Sequence, residues 1–231
     1  MLYYKREKMK IVSITLARGG SKGVPRKNLI DICGNPLLSY VLNSAEQSKH
    51  IDERFVSTED EEIKQVAIKL GASVVDRPQE LATDSAKCED ALKHFASLID
   101  FDILCFIQTT SPLVLPSDID KGIEMVLSGD YDSVFSVTTE TWVPKWLEIE
   151  NLVKPIDWTP ASRPRRQQMP ELLIENGAFY ITKRENLLES GLRYSGKIGV
   201  VKMPLKRSFQ IDTEEELGLI RSIIKNGVHN D

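Results

Sequence analysis

Two periods of hydrophobic spacing take turns along the chain. Residues 11–17 (IVSITLA) are apolar and β-branched throughout, the pattern of a strand buried on both faces. From 36 to about 48 the spacing becomes helical: Leu37, Leu38, Val41, Leu42 and Ala45 share one face, and Pro36 suits a helix start. FVST at 55–58 predicts a short strand. Residues 60–70 predict a helix with Ile63, Val66, Ala67 and Leu70 in register and Gly71 as its stop. SVV at 73–75 reads as another strand. Asp84 is read as the cap of a helix whose inner face holds Cys88, Leu92, Phe95 and Ile99. DILCFI at 102–107 predicts a buried strand, and 116–129 a helix through Ile119, Ile123, Val126 and Leu127. SVFSV at 133–137 predicts a strand. A final helix over about 213–226 uses Leu217, Ile220, Ile223 and Ile224, with Gly227 as its stop.

Strands alternating with helices across short connections predict an α/β fold, a mostly parallel sheet with helices on both faces. The alternation lapses between about 138 and 175, which is rich in Trp and Pro and carries a basic cluster. That segment is expected to be an insertion, a β-rich arm or small subdomain. A length of 231 residues suits a single domain over 1–231 with 138–175 inserted into it.

Charge and composition narrow the partners. The formal net charge is −4, so general attraction to nucleic acid is not expected and any anion site must be local. Cys33, Cys88 and Cys105 are odd in number and lack C-x-x-C spacing, which argues against a disulfide framework or a zinc site and fits a reducing cytosol. No apolar run approaches the roughly 20 residues of a membrane span. The opening MLYYKREKMK lacks the apolar centre of a signal peptide. With Met9 as an alternative start, residues 1–8 are expected to be a disordered extra.

The charge is concentrated after the first strand. Gly19, Gly20 and Gly23 are interleaved with Arg18, Lys22, Arg26 and Lys27. In open α/β sheets ligands collect beyond the carboxyl ends of the strands. Glycines there let backbone N–H groups turn toward one point, and the cations can offset a triphosphate. Neither G-x-x-x-x-G-K-[ST] nor G-x-G-x-x-G can be laid on the loop, so a Walker loop and a dinucleotide fingerprint are excluded. On composition alone, a solvated surface loop with ordinary lysines is the competing reading.

"LARGGSKGVPRKN" closely resembles the signature loop of the N-acylneuraminate cytidylyltransferases. Four further segments agree in the same order: "RPQELATDSAK" (77–87), "IQTTSPL" (107–113), "RPRRQQMPELLIENGAFYI" (163–181) and "QIDTEEEL" (210–217). The likeness spans nearly the whole chain. It implies a Rossmann-like nucleotidyltransferase domain with a dimerisation arm, hence a cytoplasmic homodimer. It also implies transfer of CMP from CTP to a nine-carbon 2-keto sugar acid, with Mg²⁺ and release of pyrophosphate. By motif, Arg18, Gly19, Ser21, Lys22, Lys27, Asn28, Arg77 and Gln108 would hold CTP. Lys145, Arg165 and Arg166 would serve the sugar side. Lys22, Arg165 and Asp212 would be catalytic, with Asp212 the metal ligand.

Those residue types suit the chemistry. Phosphoryl transfer between two anionic substrates gains mostly from positioning and charge neutralisation, so cations are needed on both sides of the reacting phosphorus. A hard oxygen ligand suits Mg²⁺, and the planar fork of arginine suits carboxylate or phosphate. One departure stands out. Many family members carry Asp-Ile-Asp where this chain has Gln210-Ile211-Asp212. Alternation along a strand would place 210 and 212 on one face toward the metal, with a single ion held by Asp212. Cys88 falls where relatives often have a hydroxyl residue near the cytosine; it also suits a small buried position on a helix. His50, His94 and His229 show no carboxylate or cysteine partner at ligand spacing. Trp142, Trp146 and Trp158 are expected to pack the arm or an interface. "EDEEIK" (59–64) reads as the solvated first turn of a helix, and "TEEEL" after Asp212 likewise. The RPRR run (163–166) could alternatively be a basic surface patch. Legionaminate, pseudaminate and octulosonate cytidylyltransferases are the neighbouring alternatives. The octulosonate enzymes usually have a different loop. Gln210 also allows a CTP-binding protein that has lost turnover.

Overall fold

The computed structural model describes residues 9–21, 23–141, 144–156 and 158–227. The first apolar run forms β1 (Ile11–Leu16). A wide loop with one 3₁₀ turn leads to the two-residue strands β2 (Asp31–Ile32) and β3 (Asn35–Pro36), which pair with each other. Then follow α1 (Leu37–Glu46), β4 (Glu53–Thr58), α2 (Glu61–Lys69), β5 (Ser73–Asp76), α3 (Cys88–Leu98), β6 (Ile103–Ile107), α4 (Pro116–Leu127) and β7 (Ser133–Thr139). The expected elements are present through this stretch. One start moves: Lys87, not Asp84, occupies the cap position of α3. Asp84 instead lies three residues before that cap, where it meets Arg18 at 2.8 Å.

The segment expected as an insertion carries a hairpin, β8 (Trp146–Ile149) and β9 (Leu152–Pro155). Its corner residues Glu150 and Asn151 have φ of 50° and 66°, as a two-residue hairpin turn requires. Three later elements escape the periodicity reading: β10 (Leu173–Lys183), α5 (Arg184–Ser190) and β11 (Ile198–Lys202). The pattern of β10 is broken at Gly177, whose φ is 67°, and its pairing with β7 shifts register between Glu175 and Tyr180. The chain closes with α6 (Glu214–Lys225), capped by Thr213 and Glu216 as "TEEEL" suggests.

Among the described residues the main sheet has seven strands in the order β11-β7-β10-β6-β1-β4-β5. All neighbours are parallel except β10, which runs antiparallel between β6 and β7. The chain leaves β1 toward β5 and returns on its other side at β6, so the strand order reverses there and opens a crevice at the carboxyl ends.

Side-chain alternation in the strands divides the core. Ile11, Val56 and Ile103 face α1, α2 and α4, through Leu38, Leu42, Ile63, Ile119 and Ile123. Val12, Ile14 and Leu104 face α3 and α5, through Leu92, Phe95 and Leu187. A third cluster matters most for the site. Leu217 and Ile220 of α6 pack with Val24, Ile32, Leu37, Leu113 and Ile211, so the C-terminal helix is seated against the glycine loop. No described helix is long and apolar enough to cross a membrane.

Candidate functional site

A cleft of about 460 Å³ opens at the carboxyl ends of β1, β5 and β6. Its lining brings together Arg18, Ser21, Gly23, Lys27, Asn28, Arg77, Gln108 and Asp212, residues that lie up to 194 positions apart in the chain. Local contacts set the loop. The Asn28 side-chain amide donates to the Arg18 carbonyl at 2.8 Å, and Arg26 takes the left-handed conformation with φ 53°. Lys27 Nζ reaches Asp212 Oδ1 at 2.7 Å, so the loop and the segment before α6 meet through opposite charges. A side chain at Gly23 would strike the Asp212 carbonyl oxygen, so this glycine serves a close backbone approach. Asp212 is held in turn by Glu216, whose carboxylate accepts the Asp212 N–H at 2.8 Å.

The glycines act differently from expectation. Left-handed backbone in this loop falls at Arg26, not at Gly19, Gly20 or Gly23. Gly19 does not line the cleft: its N–H donates to Glu59 Oε1 at 2.7 Å. Arg77 is buried at the cleft wall, with Nη2 donating to the Ser57 carbonyl at 2.7 Å. Burial pulls its guanidinium below the ordinary value, and the nearby Glu59 carboxylate opposes that.

A second cleft, of about 490 Å³, adjoins the first and shares Gln108 with it. Its wall includes Glu175, Asn176, Tyr180, Phe209 and Gln210. The Tyr180 hydroxyl donates to Glu175, and its ionisation is pushed upward by burial and then by that carboxylate. Here the sequence expectation for residues 210 and 212 is corrected. They do not sit in a strand. Ile211 is fully buried and its N–H bonds to the Thr110 carbonyl at 2.9 Å, while Gln210 donates to the Asn176 carbonyl at 2.7 Å. Gln210 therefore lines the second cleft and Asp212 the first.

Asp212 also decides how a metal would fit. Among the described residues no three metal-ligating side chains cluster. Two carboxylates among those residues line the cleft, Asp212 and Asp84, and Asp84 is paired with Arg18; so sparse a set fits an ion such as Mg²⁺ that keeps waters and takes the rest of its shell from phosphate oxygens. It does not fit an all-protein cage.

The model of the cytidylyltransferase family matches residues 12–227. This chain belongs to that family. It is 38 % identical over 215 residues to N-acylneuraminate cytidylyltransferase A of Danio rerio, covering 91 % of this chain and 50 % of the relative. The N-acylneuraminate cytidylyltransferase of Streptococcus agalactiae is 32 % identical, covering 90 % and 52 %. The chain thus spans about half the length of these curated relatives. The pseudaminic acid cytidylyltransferase of Campylobacter jejuni is 29 % identical, and there the match covers 94 % of this chain and 97 % of the relative. Among solved structures, a CMP:2-keto-3-deoxy-manno-octonic acid synthetase complexed with CTP superposes with a TM-score of 0.72 at 19 % identity, covering 94 % of this chain and 99 % of that one. The 4-diphosphocytidyl-2C-methyl-D-erythritol synthase of Anaerococcus prevotii gives 0.67 at 14 %, covering 95 % and 100 %. The nucleotidyltransferase fold is therefore shared well beyond sequence likeness.

Other residues singled out in this family member fall elsewhere. Lys145 pairs with Glu140, and Arg165 and Arg166 are exposed beside a short 3₁₀ turn; none of the three lines either cleft of its own chain. Lys22, Trp142, His229 and residues 1–8 lie outside the described residues. Trp146 and Trp158 pack edge to face at 4.9 Å and stand apart from both clefts. Cys88, at the first turn of α3, is only partly buried: it packs against the core and also lines the first cleft. His50 does have a carboxylate neighbour, Glu124 at 3.1 Å, which sequence spacing hides because they lie 74 residues apart. His94 is half-buried on α3, its Nδ1 without a partner.

The acidic run 59–64 is the clearest miss. Glu61 and Glu62 are solvated, as expected, but Glu59 and Asp60 are not. Asp60 caps α2 and pairs with Arg26 of the loop, and Glu62 pairs with the same arginine. The available signal was position: the run begins immediately after β4, at the carboxyl end of the sheet where the glycine loop also emerges after β1.

Proposed function

We propose that this protein transfers CMP from CTP to the anomeric hydroxyl of a nine-carbon 2-keto sugar acid of the sialic type, releasing pyrophosphate. The carrying observation is the convergence of Arg18, Lys27, Arg77 and Asp212 on one cleft, with a second cleft opening beside it through Gln108. The first cleft suits a nucleoside triphosphate: cations line the wall, and apolar and small side chains such as Phe106 and Cys88 offer a surface for a base. The second suits a polyhydroxylated acid, with amide, hydroxyl and carboxylate groups along its wall. In the reaction the sugar hydroxyl oxygen forms a bond to the α-phosphorus and gives its proton to water, as the bond from that phosphorus to the α–β bridging oxygen breaks and the oxygen leaves with pyrophosphate. Positioning and charge neutralisation by Arg18, Lys22 and Lys27 would supply most of the acceleration. Asp212 would hold Mg²⁺, which when bound neutralises phosphate charge; Lys27, now paired with Asp212, would then turn to the triphosphate.

Among the described residues, the second cleft is lined by Glu175 and by no lysine or arginine. An acidic sugar needs a cation there. We assign that role to Arg165, with Arg166 and Lys145 beside it, delivered by the arm of a second copy in a cytoplasmic homodimer. The exposed apolar side chains Leu147, Ile149, Leu152 and Val153 on the hairpin give such a dimer a surface to bury.

The test is a substrate panel with pyrophosphate release as the readout. CTP with Mg²⁺ is offered with neuraminate, legionaminate, pseudaminate and octulosonate acids, and other nucleoside triphosphates compete. Turnover with CTP and a nine-carbon acid is expected. Tight CTP binding with no release from any acid would favour a binding protein instead. A pseudaminate product has specific support, because the pseudaminic acid relative is matched over nearly its full length.

A further inference from the structure

We propose that Glu59 is a positioning residue for the nucleotide cleft, tying the backbone of the glycine loop to the guanidinium of Arg77. The inference rests on the reading of the first cleft as the CTP site. Glu59 follows directly on β4, and its side chain is only 11 % exposed. One carboxylate oxygen accepts the Gly19 N–H at 2.7 Å. The other lies 3.7 Å from Arg77 Nη2 and has no hydrogen-bond partner among the described residues. Arg77 Nε is likewise buried without a partner. A carboxylate buried with one oxygen unsatisfied is costly, and closing the loop alone does not require it: a neutral acceptor would satisfy Gly19. What the charge adds is attraction to Arg77, whose side chain is 5 % exposed and lines the cleft.

The neighbouring acids complete the brace. Asp60 fills the space that a side chain at Gly19 would need, and it grips Arg26 at the far end of the loop together with Glu62. The segment from Gly19 to Arg26 is thus strapped at both ends to the β4–α2 junction. Glu59 sits at the end nearest Arg77, where a shift of the loop and a shift of the guanidinium would occur together.

Glu59→Gln separates charge from acceptor. Its amide oxygen keeps the Gly19 contact and the volume is unchanged, but the charge facing Arg77 is gone. With Mg²⁺ present, the Kd for CTP measured by calorimetry is expected to rise about tenfold, the worth of one charge-assisted contact. The KM for the sugar acid should stay within twofold, and the Tm within a few degrees. Glu59→Asp, which keeps the charge on a shorter stem, should recover part of the CTP affinity. If Glu59→Gln binds CTP within twofold of wild type, the inference is overturned. It also falls if both substrates weaken together in step with a lower Tm, because that is a packing defect. Wild-type protein that binds CTP while Glu59→Gln is unchanged sinks this inference alone. Wild-type protein that binds no CTP sinks the functional reading and this inference with it.

Discussion

Lys27 and Asp212 join the glycine loop to the segment before α6. They meet at 2.7 Å, with the lysine side chain 16 % exposed and the aspartate 59 % exposed. With the aspartate largely in water the pair contributes little to stability, because solvent screens that side and ordering the side chains costs entropy. Lys27→Ala should therefore leave the Tm within a few degrees of wild type. Its effect should appear in chemistry: CTP turnover is expected to fall by about 100-fold, the scale of losing one transition-state charge contact. Full activity, or an unfolded variant, would remove Lys27 from the proposed machinery. At this scale the concentration of charge and glycine after β1 pointed to Arg18, Gly23 and Lys27 of the cleft lining, and the resemblance added Ser21, Asn28, Arg77, Gln108 and Asp212. The sequence did not show what each glycine does. The collision at Gly23 is with a carbonyl 189 positions away, and no local pattern carries that information.

Among the elements, α2 is where stability and site geometry meet. Asp60 caps the helix by accepting the Ile63 N–H at 3.0 Å and also binds Arg26. Asp60→Ala should cost about 1 kcal/mol from the cap alone, read from chemical denaturation, whereas Asp60→Asn keeps most of the cap. The pH dependence has a definite sign. The hydrogen bond from Arg26, followed by backbone N–H donors, holds the Asp60 carboxyl below its ordinary range despite some burial. A depressed folded-state value means the stabilisation is full above the ordinary carboxylate value and is lost as the pH falls through the depressed one. The stability difference between wild type and Asp60→Asn should accordingly narrow below about pH 4. A difference that stays constant through that region would detach the carboxylate from Arg26. Periodicity located α1 to α4, α6 and the parallel strands β1, β4, β5, β6 and β7 because each buries one face or both, but not the short α5 or β11. It passed over β10, where Gly177 and the register shift break the repeat just as the strand crosses from the arm to the core.

For the whole molecule, the question is how the arm relates to the clefts. Arg165 and Arg166 stand clear of their own chain's clefts, and the hairpin exposes Leu147 and Leu152 at 50 % and 67 %. If a second copy supplies the sugar-side cation, replacing Leu147 and Leu152 by glutamate should yield a monomer in sedimentation. That monomer should keep CTP binding while its sugar-acid KM rises at least tenfold, the equivalent of about 1.4 kcal/mol. A monomer with an unchanged sugar KM would place the cation elsewhere. The alternating pattern, the basic glycine loop and the absence of a net positive field are local or summed properties, so the order of residues alone determined the α/β class and singled out the loop that lines the first cleft. The tertiary structure alone decided that Gln210 and Asp212 part into adjoining clefts, and that Glu59 and Asp60 turn from a helix face to brace the loop. Those outcomes depend on which distant segments the third core cluster and the sheet edge press together, and contacts between distant segments leave no period in a sequence.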